Sequence, residues 1–171
     1  MSLIGILLRG FGPSTIAPPG PPTGALLLHT PAEILQKLLI DKAVVTDPLY
    51  EDEWPCYVSA LPKEPENVLT CNDVEGRKQG RIQVSGRTVE HPGVQILLRA
   101  SNPNVGYTKL RAVGVTLSED VVREVVELDD AVYVTQSVTQ LGNINSLGRE
   151  SPASDAQLYS LNLIVCVYKT N

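Results

Sequence analysis

Apolar residues first fall into a helical rhythm at Ile34, Leu35, Leu38 and Leu39, which share one face of the stretch HTPAEILQKLLIDK. Thr30 can cap that stretch, Pro31 suits the first helical position and Glu33 completes a T-x-x-E capping box, so a helix is predicted from there. Periodicity is lost from Val44 to Trp54, where Asp47, Glu51, Asp52 and Glu53 surround Pro48 and Tyr50. These carboxylates lack the Gly and the terminal Glu of a calcium loop, which leaves a solvated acidic loop. PCYVSALP alternates, with Cys56, Val58 and Ala60 on one face and Tyr57, Ser59 and Leu61 on the other, and reads as a short strand. ENVLTCND and GRIQVSG are two further strands, separated by VEGRKQG as an exposed hairpin or loop. HPGVQILLRAS is the strongest strand, placing Val94, Ile96 and Leu98 opposite Gln95, Leu97 and Arg99 after a Pro-Gly turn.

A second helix is predicted in SNPNVGYTKLRAVGVTLSED, capped by Asn102, opened by Pro103 and striped by Tyr107, Leu110, Val113 and Leu117. Gly106 and Gly114 each weaken it by roughly 1 kcal/mol, a tolerable cost if they let the helix lie close to a sheet. The β-branched run VVREVVELDDAVYVTQSVTQ favours a β-hairpin turning at Asp129-Asp130. LGNINSLGRESPASDAQ, Leu141 to Gln157, is polar and aperiodic and reads as a long loop. The closing LYSLNLIVCVYKT alternates Leu161, Leu163, Val165 and Val167 with Asn162, Ile164, Cys166 and Tyr168, as a strand buried on both faces would. The expected fold is α+β: a mostly antiparallel β-sheet with two main helices packed on one face, plus an extended N-terminal arm.

That arm, residues 1–29, precedes a single domain over 30–171. It opens with Leu3, Ile4, Ile6, Leu7 and Leu8, adds Phe11, and continues through five of the chain's thirteen prolines between Pro13 and Pro22. Arg9 follows the apolar run rather than preceding it, so the segment is not a secretory signal. The run is also too short to span a bilayer, and a soluble protein is expected. The apolar residues suit docking either on a neighbouring molecule or on the arm's own domain, with the prolines as an extended spacer.

Composition narrows the function classes. A net charge of −5 with 14 Lys and Arg argues against a protein that coats nucleic acid, and 5% aromatic residues provide little for stacking on bases. Cys56, Cys71 and Cys166 are odd in number with no C-x-x-C pair, which argues against a disulfide framework and a zinc site. The only imidazoles are His29 and His91. Joining His91 to Ser151 or Ser154 and Asp155 lacks any nucleophile-elbow sequence, and neither GFGPSTIAPPG nor EGRKQGR is a phosphate-binding loop. No catalytic, cofactor-binding or metal residues are expected. Arg77, Lys78 and Arg81 form the densest basic cluster, a solvated tip or a contact for an acidic or phosphate-bearing partner.

The order of elements from Thr30 to Thr170 resembles the bacteriophage minor capsid and tail terminator family of long-tailed phages. The resemblance is carried by the opening amphipathic helix, by EHPGVQILLRASN ahead of a helix containing GYTKLRA, by the hairpin, and by SLGRESPASDAQLYSLNLIVCVY with its closing strand. Gly148, Arg149, Glu150 and Asn162 match the family's pattern in that last stretch approximately. The resemblance implies a structural virion protein: a subunit of a ring, usually a hexamer, that caps the head-proximal end of the tail tube and meets the head-tail connector. Implied partners are further copies of itself, the tail tube protein and the connector protein, with a passing contact to DNA in the lumen and none to membrane. The implied location is the tail-neck junction of the virion, and the host cytoplasm during assembly. The arm would supply one interface through Leu3, Ile4, Ile6, Leu7, Leu8 and Phe11. Arg77, Lys78, Arg81, Asn143, Asn145 and Arg149 would face the lumen or the axial neighbours. The alternatives are another neck or head-completion connector protein, and a cytosolic ligand-binding α+β domain.

Overall fold

The computed structural model describes residues 27–50, 53–81, 88–151 and 154–170, without the side chains of 78–81 and 88. The predicted arm contacts from Leu3 to Phe11 lie outside the described residues. The first helix, α1 (Pro31–Asp41), starts where its capping box places it. Thr30 Oγ1 accepts the Glu33 N–H at 3.2 Å and the Glu33 carboxylate accepts the Thr30 N–H at 2.7 Å. Asp73 accepts the Ala32 N–H at 2.9 Å, satisfying a further orphan donor of the first turn. Ala32, Ile34, Leu35, Leu38 and Leu39 are buried, and each large aliphatic among them contributes roughly 1.5–3 kcal/mol of transfer free energy.

Six strands follow: β1 (Cys56–Val58), β2 (Val68–Arg81), β3 (Thr88–Ala100), β4 (Glu124–Leu128), β5 (Ala131–Arg149) and β6 (Gln157–Lys169). They form one sheet in the order β1-β2-β3-β6-β5-β4. Every pairing is antiparallel except β1 with β2, so the sheet is mixed at one edge. The second helix, α2 (Pro103–Val115), is capped by Asn102 Oδ1, which accepts from Asn104 N and Val105 N. A π-helical turn, Thr116–Asp120, continues it and buries Leu117.

Both helices pack on one face, where Leu110 and Val113 of α2 and the buried face of α1 join Val94, Ile96, Leu98, Leu161, Leu163 and Val165 in one core. Helix α1 touches β1, β2 and β3 on one side and β4 on the other, so the sheet curls around it. Lys42 just after α1 pairs with Glu124 of β4 across that curl. Gly106 lets α2 approach the sheet: a Cβ there would lie 2.6 Å from that of Ala100. Strand β6 is covered on both faces, with Ser160, Ile164 and Tyr168 buried on the side opposite Leu161 and Leu163.

Three expectations fail for a shared reason. VEGRKQG is not a loop between two strands, because β2 runs unbroken from Val68 to Arg81. Its register shifts between Val74 and Arg77 and again between Arg77 and Gly80, so bulges absorb residues that read as a turn. Pro92 and Gly93 likewise lie inside β3 rather than before it. A Cβ on Gly76 would collide with the His91 carbonyl, and one on Gly93 with that of Glu75, so these glycines mark close backbone approach and not a reversal. The long loop from Leu141 to Gln157 is mostly strand as well: β5 continues to Arg149, leaving only 150–156 as the connection. Register shifts between Leu141 and Asn145 and between Ser146 and Gly148 break the alternation that would have revealed it. Gly142 and Gly148 sit at φ +78° and +90° within those shifts.

Candidate functional site

The sequence-predicted residues fall into separate groups. Arg77 is exposed on β2, not on a hairpin tip, and pairs in register with His91. The side chains of Lys78 and Arg81 lie outside the described residues. Asn143, Asn145 and Arg149 are exposed on β5 rather than on a loop. Arg149 stands at the opposite end of the sheet from Arg77, opposite Gln157, with a guanidinium nitrogen 3.8 Å from the Asp155 carboxylate. Asn143 lines a cleft of about 230 Å³ with Tyr107, Arg111, Ser118 and Gln140. The drawn triad is not assembled, since His91 is near the start of β3 whereas Gln157, just past Ser154 and Asp155, pairs with Ala100 at its end.

Where the arm joins the domain, Tyr133 of β5 forms a polar node. Its buried hydroxyl accepts the N–H groups of Leu28 at 3.2 Å and His29 at 3.1 Å, and lies 2.7 Å from His29 Nδ1. With both lone pairs engaged, the phenolic proton goes to Nδ1, and Nε2–H is left to donate to Asp129 at 3.2 Å.

A second polar centre is Arg99, whose side chain is 2% exposed although the strand pattern places it opposite Val94, Ile96 and Leu98. Its Nη2 donates to the carbonyls of Lys63 at 2.6 Å and Pro65 at 2.8 Å, and Nε donates to that of Glu66 at 3.4 Å. Nη1 pairs with Glu150 at 2.8 Å. The guanidinium thereby holds the connection, residues 59–67, that returns the chain from β1 to the parallel β2. A polar cavity of about 440 Å³ opens beside it, bordered by Glu64, Glu66, Glu150 and Asp155.

An apolar concavity among the described residues is built on the segment read as an acidic loop. Trp54 occupies φ +66°, a left-handed conformation that bulky residues rarely adopt. Thr46 secures it, donating its N–H to the Trp54 carbonyl at 3.2 Å and its hydroxyl to the Glu53 carbonyl at 3.0 Å. The indole is thereby set beside α2, where the Lys109 ammonium lies 5.7 Å from the ring centroid and donates to the Val44 carbonyl at 2.6 Å. Burial pushes the Lys109 pKa down, against a smaller upward pull from Glu53. The resulting groove, about 420 Å³, is lined by Trp54, Asn104, Val105, Thr108, Lys109 and Ala112. Its one charge is already held by a ring face and a carbonyl, so the remaining surface suits aliphatic side chains. The missed signal was the chain's single tryptophan, standing beside the acidic run.

Cys56 and Cys71 come together in the core, with sulfurs 3.7 Å apart across the parallel β1–β2 pair, a proximity their spacing did not reveal. Both are free thiols. Among the described residues no group of three or more His, Cys, Asp or Glu is placed to hold a metal ion, and no helix is long and apolar enough to cross a membrane. No protein-family model matches the sequence, and no curated protein matches it either.

Proposed function

We propose that the chain is a structural virion protein, a tail terminator subunit that associates into a ring on the head-proximal end of a phage tail tube and joins it to the head-tail connector. The observation that carries this reading is the stepped outline of the sheet. On one edge β1 pairs with β2 only from Leu69 to Cys71, and on the other β4 pairs with β5 only from Ala131 to Thr135. Among the described residues, the rest of β2 and the far end of β5 therefore have no strand on their outer side. Each step lies at the opposite end of the sheet from the other, because β2 and β5 run antiparallel within it. One copy cannot join its own two steps, whereas neighbouring copies meeting head to tail present one step to the other, the kind of contact that closes into a ring. Exposed Asn145 and Arg149 lie on the β5 step and Arg77 on the β2 step. The N-terminal arm, Leu3 to Leu8, adds a clasp between copies.

Electron microscopy of the purified full-length protein, alone and mixed with tail tubes, tests this. Closed rings or caps on tube ends are expected. Particles that ignore tubes and bind the portal would move the chain to the connector reading, and a monomer that binds neither would sink the proposal.

A further inference from the structure

We infer that His29, Tyr133 and Asp129 form a pH-sensitive latch, which holds residues 28 and 29, at the root of the arm, against β5 while His29 is neutral and lets them go when His29 takes up a proton. The count of donors fixes the chemistry. The Tyr133 side chain is buried, and the two lone pairs of its hydroxyl are taken by backbone groups that cannot change role, the N–H groups of Leu28 at 3.2 Å and His29 at 3.1 Å. His29 Nδ1, 2.7 Å from the same oxygen, must then accept the phenolic proton. A neutral ring with its hydrogen on Nε2 is therefore what meets the Asp129 carboxylate at 3.2 Å. The latch acts within one copy and operates whether or not copies join into a ring.

Protonation reverses one of these roles. Nδ1 of an imidazolium is a donor, so a third N–H points at an oxygen with two lone pairs while the phenolic proton loses its acceptor. One backbone N–H of Leu28 or His29 gives way, and the buried hydroxyl proton is left unpaired until the contact opens to water. Attraction of the imidazolium to Asp129 does not offset this, because the Asp129 side chain is 87% exposed and solvent screens it. Three further charged groups stand on the neighbouring elements. Glu33 of α1 is turned to the Thr30 N–H, Asp130 is exposed on the turn between β4 and β5, and Lys169, opposite Tyr133 on β6, carries a charge that opposes a second cation. The latch thus contributes fully at about pH 8 and is lost as pH falls towards about 5, the range in which imidazoles change charge. The opening is local, since Leu28 is already 67% exposed and α1 keeps its own cap at Thr30.

Solution NMR of the full-length protein at about pH 8 and about pH 5 tests the latch. At the higher pH the ring nitrogens of His29 are expected to report the Nε2–H tautomer, with the Leu28 and His29 amides protected from exchange. At the lower pH that protection, measured against the intrinsic rate at each pH, should fall roughly tenfold, the worth of about one hydrogen bond. Ile96 and Leu161, paired at the centre of the sheet, should keep theirs. His29→Asn leaves an acceptor where Nδ1 stood but takes up no proton, so its protection should be the same at both pH values. Asp129→Asn should leave the response in place, because the charge that opens the latch is on the imidazole. An Nδ1–H tautomer at about pH 8, or wild-type protection unchanged at about pH 5, overturns the inference. A loss that persists in His29→Asn overturns it too, by assigning the response to His91, the only other imidazole, or to carboxylates. Should His29→Asn hold the root at neither pH, the wild-type tautomer and the coincidence of ring titration with amide release decide: release out of step with the His29 ring sinks the latch.

Discussion

Among single residues, Arg99 shows the largest gap between pattern and role. Alternation predicts a side chain on the face opposite the aliphatics, and that is where it lies, yet it is buried under the connection whose carbonyls it binds. Arg99→Ala is expected to cost about 3 kcal/mol in chemical denaturation, because three carbonyls and Glu150 lose their donor together. Arg99→Lys should recover only part of this, since an ammonium cannot reproduce the planar fork. Glu150→Gln should cost under about 1 kcal/mol, because the Glu150 side chain is 37% exposed and solvent already screens its charge. Cys71 yields a second expectation. Its contact with the Cys56 thiol, reinforced by burial, pushes its pKa well above the ordinary 9.0. The unfolded chain ionises this thiol as pH rises past about 9 while the folded one keeps its proton, so stability falls in that range. Cys71→Ala should be less stable at neutral pH, yet its urea midpoint should decline less between about pH 8 and 10 than that of wild type. A parallel decline in both proteins would refute this linkage.

Among the elements, those with chemistry written at their ends were legible. Thr30 with Glu33, Asn102 with Pro103, and the Asp129-Asp130 turn between Leu128 and Ala131 all sit where local rules put them. The bulged parts of β2 and β5 were not legible, because a register shift moves side chains between faces and erases the period of two. Gly142 and Gly148 imitate loop composition while serving positive-φ sites inside a strand. Hydrogen exchange checks the assignment directly. Amides of Asn145 to Arg149 that bond β6 should be protected from exchange; uniform fast exchange from Leu141 to Arg149 would restore the loop.

For the whole molecule, the outer sides of β2 beyond Cys71 and of β5 beyond Thr135 carry no further strand among the described residues. Arg77 is exposed and has no core role, so reversing Arg77 and Lys78 to glutamate should leave circular dichroism and melting temperature nearly unchanged. Under the terminator reading the same variant should form fewer rings or tube caps in micrographs; wild-type assembly would remove this region from the interface.

The amino-acid sequence by itself determined the two helices, the closing hairpin and strand and the α+β class, because caps, turns and apolar periods act over a few neighbouring residues; of the stripe predicted on the second helix, Leu110, Val113 and Leu117 are buried whereas Tyr107 is 45% exposed. Only the tertiary structure decided the strand order, the parallel β1–β2 edge, the approach of Cys56 to Cys71, the anchoring of 59–67 by Arg99 and the joining of Trp54 to Lys109. The central β3–β6 pairing joins residues 57 to 77 positions apart and the side-chain contacts join residues 15 to 55 apart, and such proximity depends on how whole elements pack rather than on any local preference.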